Sequence, residues 1–177
     1  LASIQLANAY RGKLHGHVAD LGAGWGYLSA EALKGNPDIK TISLFENHFG
    51  AITTAKKNVK SSKAHFIWTD VTNEPFPNKP YDFVILNPPF HTSRKPEPKI
   101  GISFIKKASE ILSSNGKLWL VANQNLPYEE ILEKSFFSVD RIKVLSYFKI
   151  ILAQNPKRFP NKKGYEKSHT SKSRILK

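Results

Sequence analysis

Segments typical of strands and segments typical of helices alternate along most of this chain, and that alternation limits the fold more than any other feature. Short apolar runs such as residues 40–46 and 81–87 are each followed by a longer stretch with helical spacing, as in 99–112. Two parallel strands cannot be joined by a tight turn and usually need a helical crossover of about this length. The pattern therefore predicts an α/β protein built on a mostly parallel sheet.

Periodicity and turn residues give the approximate bounds of each element. The predicted helices cover residues 26–34, 48–60, 99–112 and 127–136. The predicted strands cover residues 17–23, 40–46, 64–70, 81–87 and 117–123, and two more lie within 138–154. Because no helix separates the last two strands, they are expected to form a C-terminal antiparallel hairpin. The prediction is a Rossmann-like, doubly wound, seven-stranded, mostly parallel sheet.

The length of 177 residues suits one domain, which we place at residues 1–155. Residues 156–177 are predicted to be a basic, flexible tail, because residues 157–177 contain eight Lys or Arg against Glu166 alone and little apolar surface. Two interpretations stay open for this tail. It either improves solubility or binds the phosphates of a nucleic acid, and the overall net charge of +13 is compatible with both.

Composition also limits the location of the protein. The sequence has no apolar run of the roughly 20 residues needed to span a membrane. It has no cysteine, which excludes disulfides and thiolate metal sites and agrees with the reducing cytoplasm. It also lacks methionine altogether, even at the first position, so residues are expected to be missing upstream.

The first predicted strand leads into "DLGAGWG", residues 20–26. In doubly wound sheets, ligands bind at the carboxyl ends of the strands, near the switch in strand order. Gly22, Gly24 and Gly26 allow a tight turn and a close approach of the backbone to a ligand, although such turns also serve helix packing. A dinucleotide-binding fingerprint would place its third glycine at position 27, which is Tyr27. This spacing disfavours a dehydrogenase.

Acidic residues end the next two predicted strands. Glu46 can accept hydrogen bonds from both hydroxyls of a ribose, and Asp70 lies where its carboxylate or the neighbouring backbone can reach an adenine amino group. Each also has a simpler explanation. Glu46 could be a solvated residue at the end of a strand, and Asp70 could cap the turn that follows it. A glycine turn followed by two acids at three successive strand ends nevertheless indicates a nucleoside pocket.

The fourth predicted strand runs into "NPPFH", residues 87–91. Asn87 and the carbonyl of Pro88 can accept the two N–H groups of an amine, while the two prolines stiffen the backbone. Phe90 offers a flat face on which a base can stack. The alternative is a proline-rich turn with a buried phenylalanine. Arg94, Lys95 and Lys99 follow, either beside substrate phosphates or in a solvated loop.

In their order along the chain, "DLGAGWG", Glu46, Asp70 and "NPPF" resemble the motifs of class I S-adenosylmethionine-dependent methyltransferases. "NPPFH", "LWLVANQNLPYEEIL" and "FKI" are similar to the ribosomal RNA guanine-N2 methyltransferases, particularly the small-subunit (16S) enzymes with a methyltransferase small domain. The likeness extends from about residue 2 to residue 153. It implies that a longer protein of this kind carries an N-terminal half that helps to bind RNA.

The resemblance implies transfer of a methyl group from S-adenosylmethionine to the N2 amine of a guanine in 16S ribosomal RNA, within the small subunit, and no metal. Its implied cofactor-binding residues are Asp20, Gly22, Gly24 and Gly26 at the methionine end, Glu46 at the ribose, Asp70 at the adenine, and Asn87. Its implied catalytic residues are Asn87, Pro88 and Phe90, and its implied substrate-binding residues are Pro89, Phe90 and His91.

Three alternatives to guanine-N2 transfer stay open. An N6-adenine methyltransferase acting on RNA or DNA would use the same Asn-Pro-Pro-aromatic segment. A glutamine N5-methyltransferase would usually have tyrosine at position 90 and lack the following histidine. A catalytically inactive RNA-binding module would keep the fold, but it would have no need for the glycine turn, Glu46 or Asn87.

Overall fold

The computed structural model describes residues 1–74, 76, 80–89, 98–145, 147–158 and the backbone of 174–175. The helices in this part of the chain are α1 (Ala2–Tyr10), α2 (Tyr27–Gly35), α3 (Phe49–Asn58), α4 (Pro98–Ile111) and α5 (Glu129–Ser135). Its strands are β1 (Gly16–Leu21), β2 (Ile39–Glu46), β3 (Ala64–Trp68), β4 (Tyr81–Leu86), β5 (Leu112–Asn123), β6 (Phe136–Val144), β7 (Phe148–Pro156) and β8 (Arg174–Ile175).

The strands form one sheet in the order β6-β7-β5-β4-β1-β2-β3-β8. The pairs among β1 to β5 are parallel, whereas β7 is antiparallel to both β5 and β6. This arrangement confirms the predicted fold class and the antiparallel hairpin at the end of the sheet. The two-residue strand β8, which pairs antiparallel with the edge strand β3, was not predicted.

Helices cover both faces of the sheet. Leu6 of α1, Ala32 of α2 and Ile52 of α3 are fully buried on one face. Ile105 of α4 and Leu132 of α5 are fully buried on the other. Because side chains alternate between faces along a strand, each strand of the centre contributes to both cores. In β4, for example, Phe83 and Ile85 point to the α1–α2–α3 face, while Val84 and Leu86 point to the α4–α5 face.

The helix α1 was not predicted from the sequence. Leu6 and Tyr10 are both inaccessible to solvent, and the Tyr10 hydroxyl donates a hydrogen bond of 2.7 Å to the carbonyl of Leu28 in α2. Helix α1 therefore forms part of the core and is held against α2.

One predicted boundary was wrong. The segment "SSNG", residues 113–116, was expected to stop a helix and precede the fifth strand, but β5 already begins at Leu112, directly after α4. Leu112 is fully buried and pairs with Tyr81 of β4, with a register shift before the regular pairing resumes at Phe83 and Lys117. Burial of Leu112 therefore extends the strand into a segment whose composition is typical of a turn.

Candidate functional site

The candidate site lies where the strand order reverses. The chain runs outward from β1 to β2 and β3, then returns to the other side of β1 to form β4. Leu21 and Leu86, the last residues of β1 and β4, are paired in register. The two segments that follow them, which begin at Gly22 and Asn87, therefore leave the sheet side by side. This is the crevice in which ligands bind in doubly wound folds.

The glycine turn after β1 has backbone torsion angles that cost conformational free energy for residues other than glycine. Gly22 and Gly26 have φ angles of +70° and +86°, in the left-handed region that favours glycine. A Cβ atom at Gly26 would also lie 2.8 Å from Cγ2 of Val59, which is closer than packing allows. Gly26 therefore permits α2 to start close against α3, while the N–H of Gly22 donates to the carbonyl of Phe45, at 2.8 Å, and ties the turn to β2.

Glu46, at the end of β2, connects this turn to the next loop. Its Oε2 accepts a hydrogen bond of 2.9 Å from the N–H of Gly24, and its Oε1 accepts one of 2.8 Å from the N–H of His48. A carboxylate oxygen can accept two hydrogen bonds, so each oxygen retains the capacity for one more. Glu46 lines the cavity described below, and a diol is the kind of ligand group that such a carboxylate can bind with both oxygens.

Asp70 lies just beyond β3 and caps a turn. Its carboxylate accepts hydrogen bonds from the N–H and hydroxyl of Thr72 at 2.8 and 2.6 Å and from the side-chain amide of Asn73 at 2.8 Å. The Thr72 hydroxyl is the main cause of a pKa of Asp70 below its usual value. Asp70 therefore has the capping role that the sequence left open. It also lines the cavity, so a contact with a ligand stays a prediction.

Asp20 lies beneath the glycine turn and is inaccessible to solvent. Its Oδ2 accepts a hydrogen bond of 2.7 Å from the Ser29 hydroxyl, while its Oδ1 has no partner among the described residues. Burial raises the pKa of Asp20 to about 7, and the nearby charge of Glu46 also raises it. Asp20 is absent from the lining of the two cavities described below, so its role as a cofactor ligand stays a prediction.

The raised pKa of Asp20 makes the stability of the protein depend on pH. Well below pH 4 the carboxyl is protonated in both states, whereas above its ordinary pKa of 3.8 it ionises in the unfolded chain and stays protonated in the folded protein until about pH 7. Its stabilising contribution is therefore present at low pH and lost on the way to pH 7. Since each pKa unit corresponds to about 1.4 kcal/mol, the loss is at most about 4 kcal/mol.

Asp20→Asn keeps the shape of the protonated carboxyl and removes its titration. Between pH 4.5 and pH 7.5, we expect the free energy of unfolding of the wild type to fall relative to that of this variant. Urea unfolding of both proteins at several pH values measures the difference. Parallel profiles would show that Asp20 does not titrate in this range.

Asn87 follows β4 and continues its alternation, so its side chain lies on the side of the sheet covered by α1. Its Nδ2 donates a hydrogen bond of 2.9 Å to the hydroxyl oxygen of Ser3 in α1. This contact leaves Oδ1 as the acceptor that is available to a ligand. Pro88 is buried and Pro89 is exposed, whereas Phe90 and His91 lie outside the described residues.

Two cavities meet at Asn87. The larger, of about 700 Å³, extends from the β1–β4 crevice past Glu46 and Asp70. The smaller, of about 480 Å³, lies between α1 and the start of α2. The described residues of the predicted site that line one or both are Gly22, Gly24, Glu46, Asp70, Asn87 and Pro89. Gly26, Asp20 and Pro88 do not line either cavity.

The lining also contains residues that the motifs did not indicate. Ser3 and Trp25 line the smaller cavity, and Ser103 and Phe104 of α4 line the larger one beside Lys99. Lys99, which was expected beside substrate phosphates or in a solvated loop, lies in α4 and lines the larger cavity, so its contact with a ligand stays a prediction. For Ser3, the available signal was the helical spacing of the apolar residues that follow it, which places a helix ahead of β1.

The chain matches the methyltransferase small domain over residues 2–152, which is most of its length. The chain belongs to the methyltransferase small domain family.

A curated relative from Photorhabdus laumondii, named ribosomal RNA small subunit methyltransferase C, is 31% identical over 150 residues. Those residues are 84% of this chain and 44% of the relative. The relative of the same name from Photobacterium profundum is 35% identical over 143 residues, 80% of this chain and 41% of the relative.

A solved structure shares the fold. The T. thermophilus 16S rRNA N2 methyltransferase, in complex with AdoMet and guanosine, superposes with a TM-score of 0.74 at 27% identity. The match covers 87% of this chain and 43% of that protein. The chain therefore spans less than half the length of each of these three proteins.

Proposed function

We propose that this chain transfers a methyl group from S-adenosylmethionine to the exocyclic N2 amine of a guanine in 16S ribosomal RNA. The observation that carries the proposal is the side chain of Asn87, which turns its acceptor oxygen away from α1 at the point where two cavities meet. The names of the relatives from Photorhabdus and Photobacterium support the choice of ribosomal RNA. The guanosine bound by the T. thermophilus enzyme supports the choice of base.

The larger cavity suits the proposed cofactor. Its volume of about 700 Å³ lies in the range of small-molecule sites. Glu46 lines this cavity, where it can accept hydrogen bonds from the two ribose hydroxyls. Gly22 and Gly24 present backbone without a Cβ atom on one side of the cavity. Asp70 and the turn that it caps close the far end, where we place the adenine. We place the methionine end over the glycine turn, under which lies Asp20 with one buried oxygen that has no hydrogen-bonding partner among the described residues.

When bound, the cofactor would supply an electrophilic methyl group on a sulfonium; transfer to the amine breaks the methyl–sulfur bond, leaves a neutral thioether and releases one proton to water, so no strong base is needed at the acceptor. The amine of guanine is a weak nucleophile because its lone pair is delocalised into the ring. Oδ1 of Asn87 and the carbonyl of Pro88 accept its two N–H groups, which favours a geometry with the lone pair free for attack. The described residues thus act mainly by positioning. The stacking role of Phe90 and the pocket role of His91 stay predictions.

A base inside an RNA helix cannot reach this crevice, so the target guanine is expected to leave its stack. Since the proposed acceptor is the small ribosomal subunit, the proposal includes a cytoplasmic location. None of the described helices is both long enough and apolar enough to cross a membrane.

The test offers the protein S-adenosylmethionine with a tritiated methyl group, together with unmethylated 30S subunits, 50S subunits or naked ribosomal RNA. The RNA is then digested to nucleosides and separated. Label in N2-methylguanosine from the 30S sample is the expected result. Label in N6-methyladenosine would replace guanine by adenine as the target. Bound cofactor without any label would contradict transfer by this chain alone and favour an RNA-binding role.

The basic tail gives a separate prediction about RNA binding. Lys157 and Arg158 already donate hydrogen bonds to main-chain carbonyls of Glu133, Glu110 and Leu112 in the body of the protein. The remaining tail, residues 159–177, has six Lys or Arg and one Glu, and most of it lies outside the described residues. If these cations bind phosphates, replacing Lys162, Lys163, Lys167 and Lys172 by glutamine makes the negative slope of log affinity against log salt less steep, by about 0.7 for each lost single-strand phosphate contact.

The matched control replaces the same four lysines by arginine, which keeps the charge and should keep the slope. Filter binding of 16S RNA between 50 and 300 mM KCl measures both variants. Equal slopes for the glutamine variant and the wild type would leave the tail with a solubilising role only.

A further inference from the structure

A groove of about 860 Å³ lies between α4 and α5, on the face of the sheet that these helices cover. Among the described residues, it shares no lining residue with the two cavities that meet at Asn87. Four of its lining residues are cations and one is an acid. We call it the basic groove, and its charged residues are Lys106, Glu110, Lys134, Lys157 and Arg158.

The acid of the basic groove is already paired. Glu110 accepts an ion pair of 2.9 Å from Lys107 on the same helix. Lys134 pairs with Glu130 at 2.6 Å, but both side chains are exposed, and such a pair in water contributes little. Lys106 is exposed, and no acid among the described residues forms an ion pair with it. The groove therefore keeps an excess of positive charge.

The other two cations are held in place by helix ends. Nζ of Lys157 donates a hydrogen bond of 2.7 Å to the carbonyl of Glu133 in α5. The guanidinium of Arg158 donates to the carbonyls of Glu110 and Leu112 at the end of α4. These bonds offset the negative ends of the helix dipoles and use one of three N–H groups of the lysine and two of five of the arginine. Both cations can still donate to a ligand, and because they are fixed they lose little conformational entropy on binding.

Helix α4 connects the basic groove with the proposed active site. Lys99 and Ser103 line the larger cavity, whereas Lys106 and Glu110 line the groove. Their spacing of four, three and four residues places all of them on one face of α4. At a rise of 1.5 Å per residue, this row extends about 16 Å along the helix. A polyanion that leaves the larger cavity can therefore follow one helix face into the groove.

We propose that the basic groove binds the phosphodiester backbone of RNA, in the strand that carries the target guanine. The inference rests on the proposed function for the identity of that strand, and it adds a binding site outside the strand-end motifs. Phosphate oxygens are strong acceptors for the N–H groups of lysine and arginine, and the net charge of +13 favours a polyanion. The described lining of the groove contains no aromatic side chain on which a base could stack, so it suits backbone rather than base.

The test removes two exposed cations of the groove by combining Lys106→Gln with Lys134→Gln. If each lysine contacts a single-strand phosphate, the negative slope of log affinity against log salt becomes less steep by about 1.4, and the affinity at 150 mM KCl falls about tenfold. Filter binding of 16S RNA measures both quantities. Replacing the same two lysines by arginine keeps the charge and should keep the slope.

The matched control replaces Lys57 and Lys60 by glutamine. These exposed lysines lie at and just after the end of α3, which covers the other face of the sheet. The control loses the same charge and should keep a slope close to that of the wild type. Equal slopes for the glutamine variant of the groove and this control would overturn the proposal.

Methyl transfer shows whether the groove holds the strand that is methylated. The groove variant should raise the KM for RNA about tenfold and leave kcat within twofold, because the groove does not reach Asn87. A changed slope with an unchanged KM would place another RNA segment in the groove and overturn the assignment to the target strand. Unchanged slopes in a protein that forms N2-methylguanosine would overturn the groove alone. A changed slope in a protein that methylates no guanine would instead contradict the proposed function and leave the groove as a site for RNA backbone.

Discussion

Asn87→Ala is expected to abolish methyl transfer, with a loss in kcat of about a thousandfold, while the protein still binds S-adenosylmethionine. The Oδ1 acceptor of Asn87 would be lost at the place where the amine must be held, and no other described side chain there is predicted to replace it. Removing one preorganised polar group from an active site typically costs a factor of about 10² to 10³. Single-turnover transfer of a tritiated methyl group to 30S subunits measures the rate.

The control for Asn87→Ala is Asn87→Asp, which keeps an acceptor at the same place and should retain more activity than the alanine variant. Cofactor affinity by calorimetry separates the two possible causes of a loss. A Kd within about twofold of the wild type places the defect in the transfer step. Transfer by Asn87→Ala at the wild-type rate would remove Asn87 from the mechanism.

Glu46→Ala is expected to act on the cofactor instead, and to raise its Kd about a hundredfold. The proposed contact consists of two hydrogen bonds from ribose hydroxyls to a carboxylate, and a bond to a charged group is worth roughly 1.5 to 3 kcal/mol. The same substitution leaves the N–H groups of Gly24 and His48 without their partner, which loosens the glycine turn. With cofactor at saturation, kcat should fall much less than the affinity does.

Glu74→Ala is the matched control for Glu46→Ala. Glu74 is a nearby acid whose carboxylate accepts a hydrogen bond of 2.7 Å from the hydroxyl of Thr69, and it does not line the cavity. Calorimetry with S-adenosylmethionine and with S-adenosylhomocysteine should give wild-type affinities for this variant. If Glu46→Ala binds both compounds as tightly as the control does, the ribose contact is wrong.

The architecture of the sheet follows largely from patterns that are local in sequence. Strand and helix periodicities, with glycine and proline between them, predicted seven strands and four of the helices. The prediction missed α1, because the helical spacing of its few apolar residues is supported by neither a motif nor a side-chain cap at Leu1. It also misplaced the start of β5, where the burial of Leu112 outweighs the turn preference of the residues that follow. In both places contacts between distant residues decide the structure.

The residues of the candidate site also divide into those that local sequence patterns identify and those that only the tertiary structure reveals. Gly22, Glu46, Asp70 and Asn87 could be identified because each lies at a strand end, and parallel strands bring those ends to one edge of the sheet. Ser3 could not, since its hydrogen bond to Asn87 depends on how α1 packs across the sheet. The hydrogen bonds that Asp70 makes to its own turn were one of two open possibilities, and the choice depends on loop geometry.

By itself the sequence determined the fold class, the order of its elements and the short list of residues at the strand ends. These properties depend on side-chain periodicity and on the influence of each residue type on the conformation of the few positions around it. The tertiary structure alone decided that α1 packs against α2 and brings Ser3 to Asn87, that burial raises the pKa of Asp20 to about 7, and that the Asn87 amide presents its oxygen to the crevice. Those outcomes depend on desolvation and on hydrogen bonds between residues far apart in the chain, which no local pattern specifies.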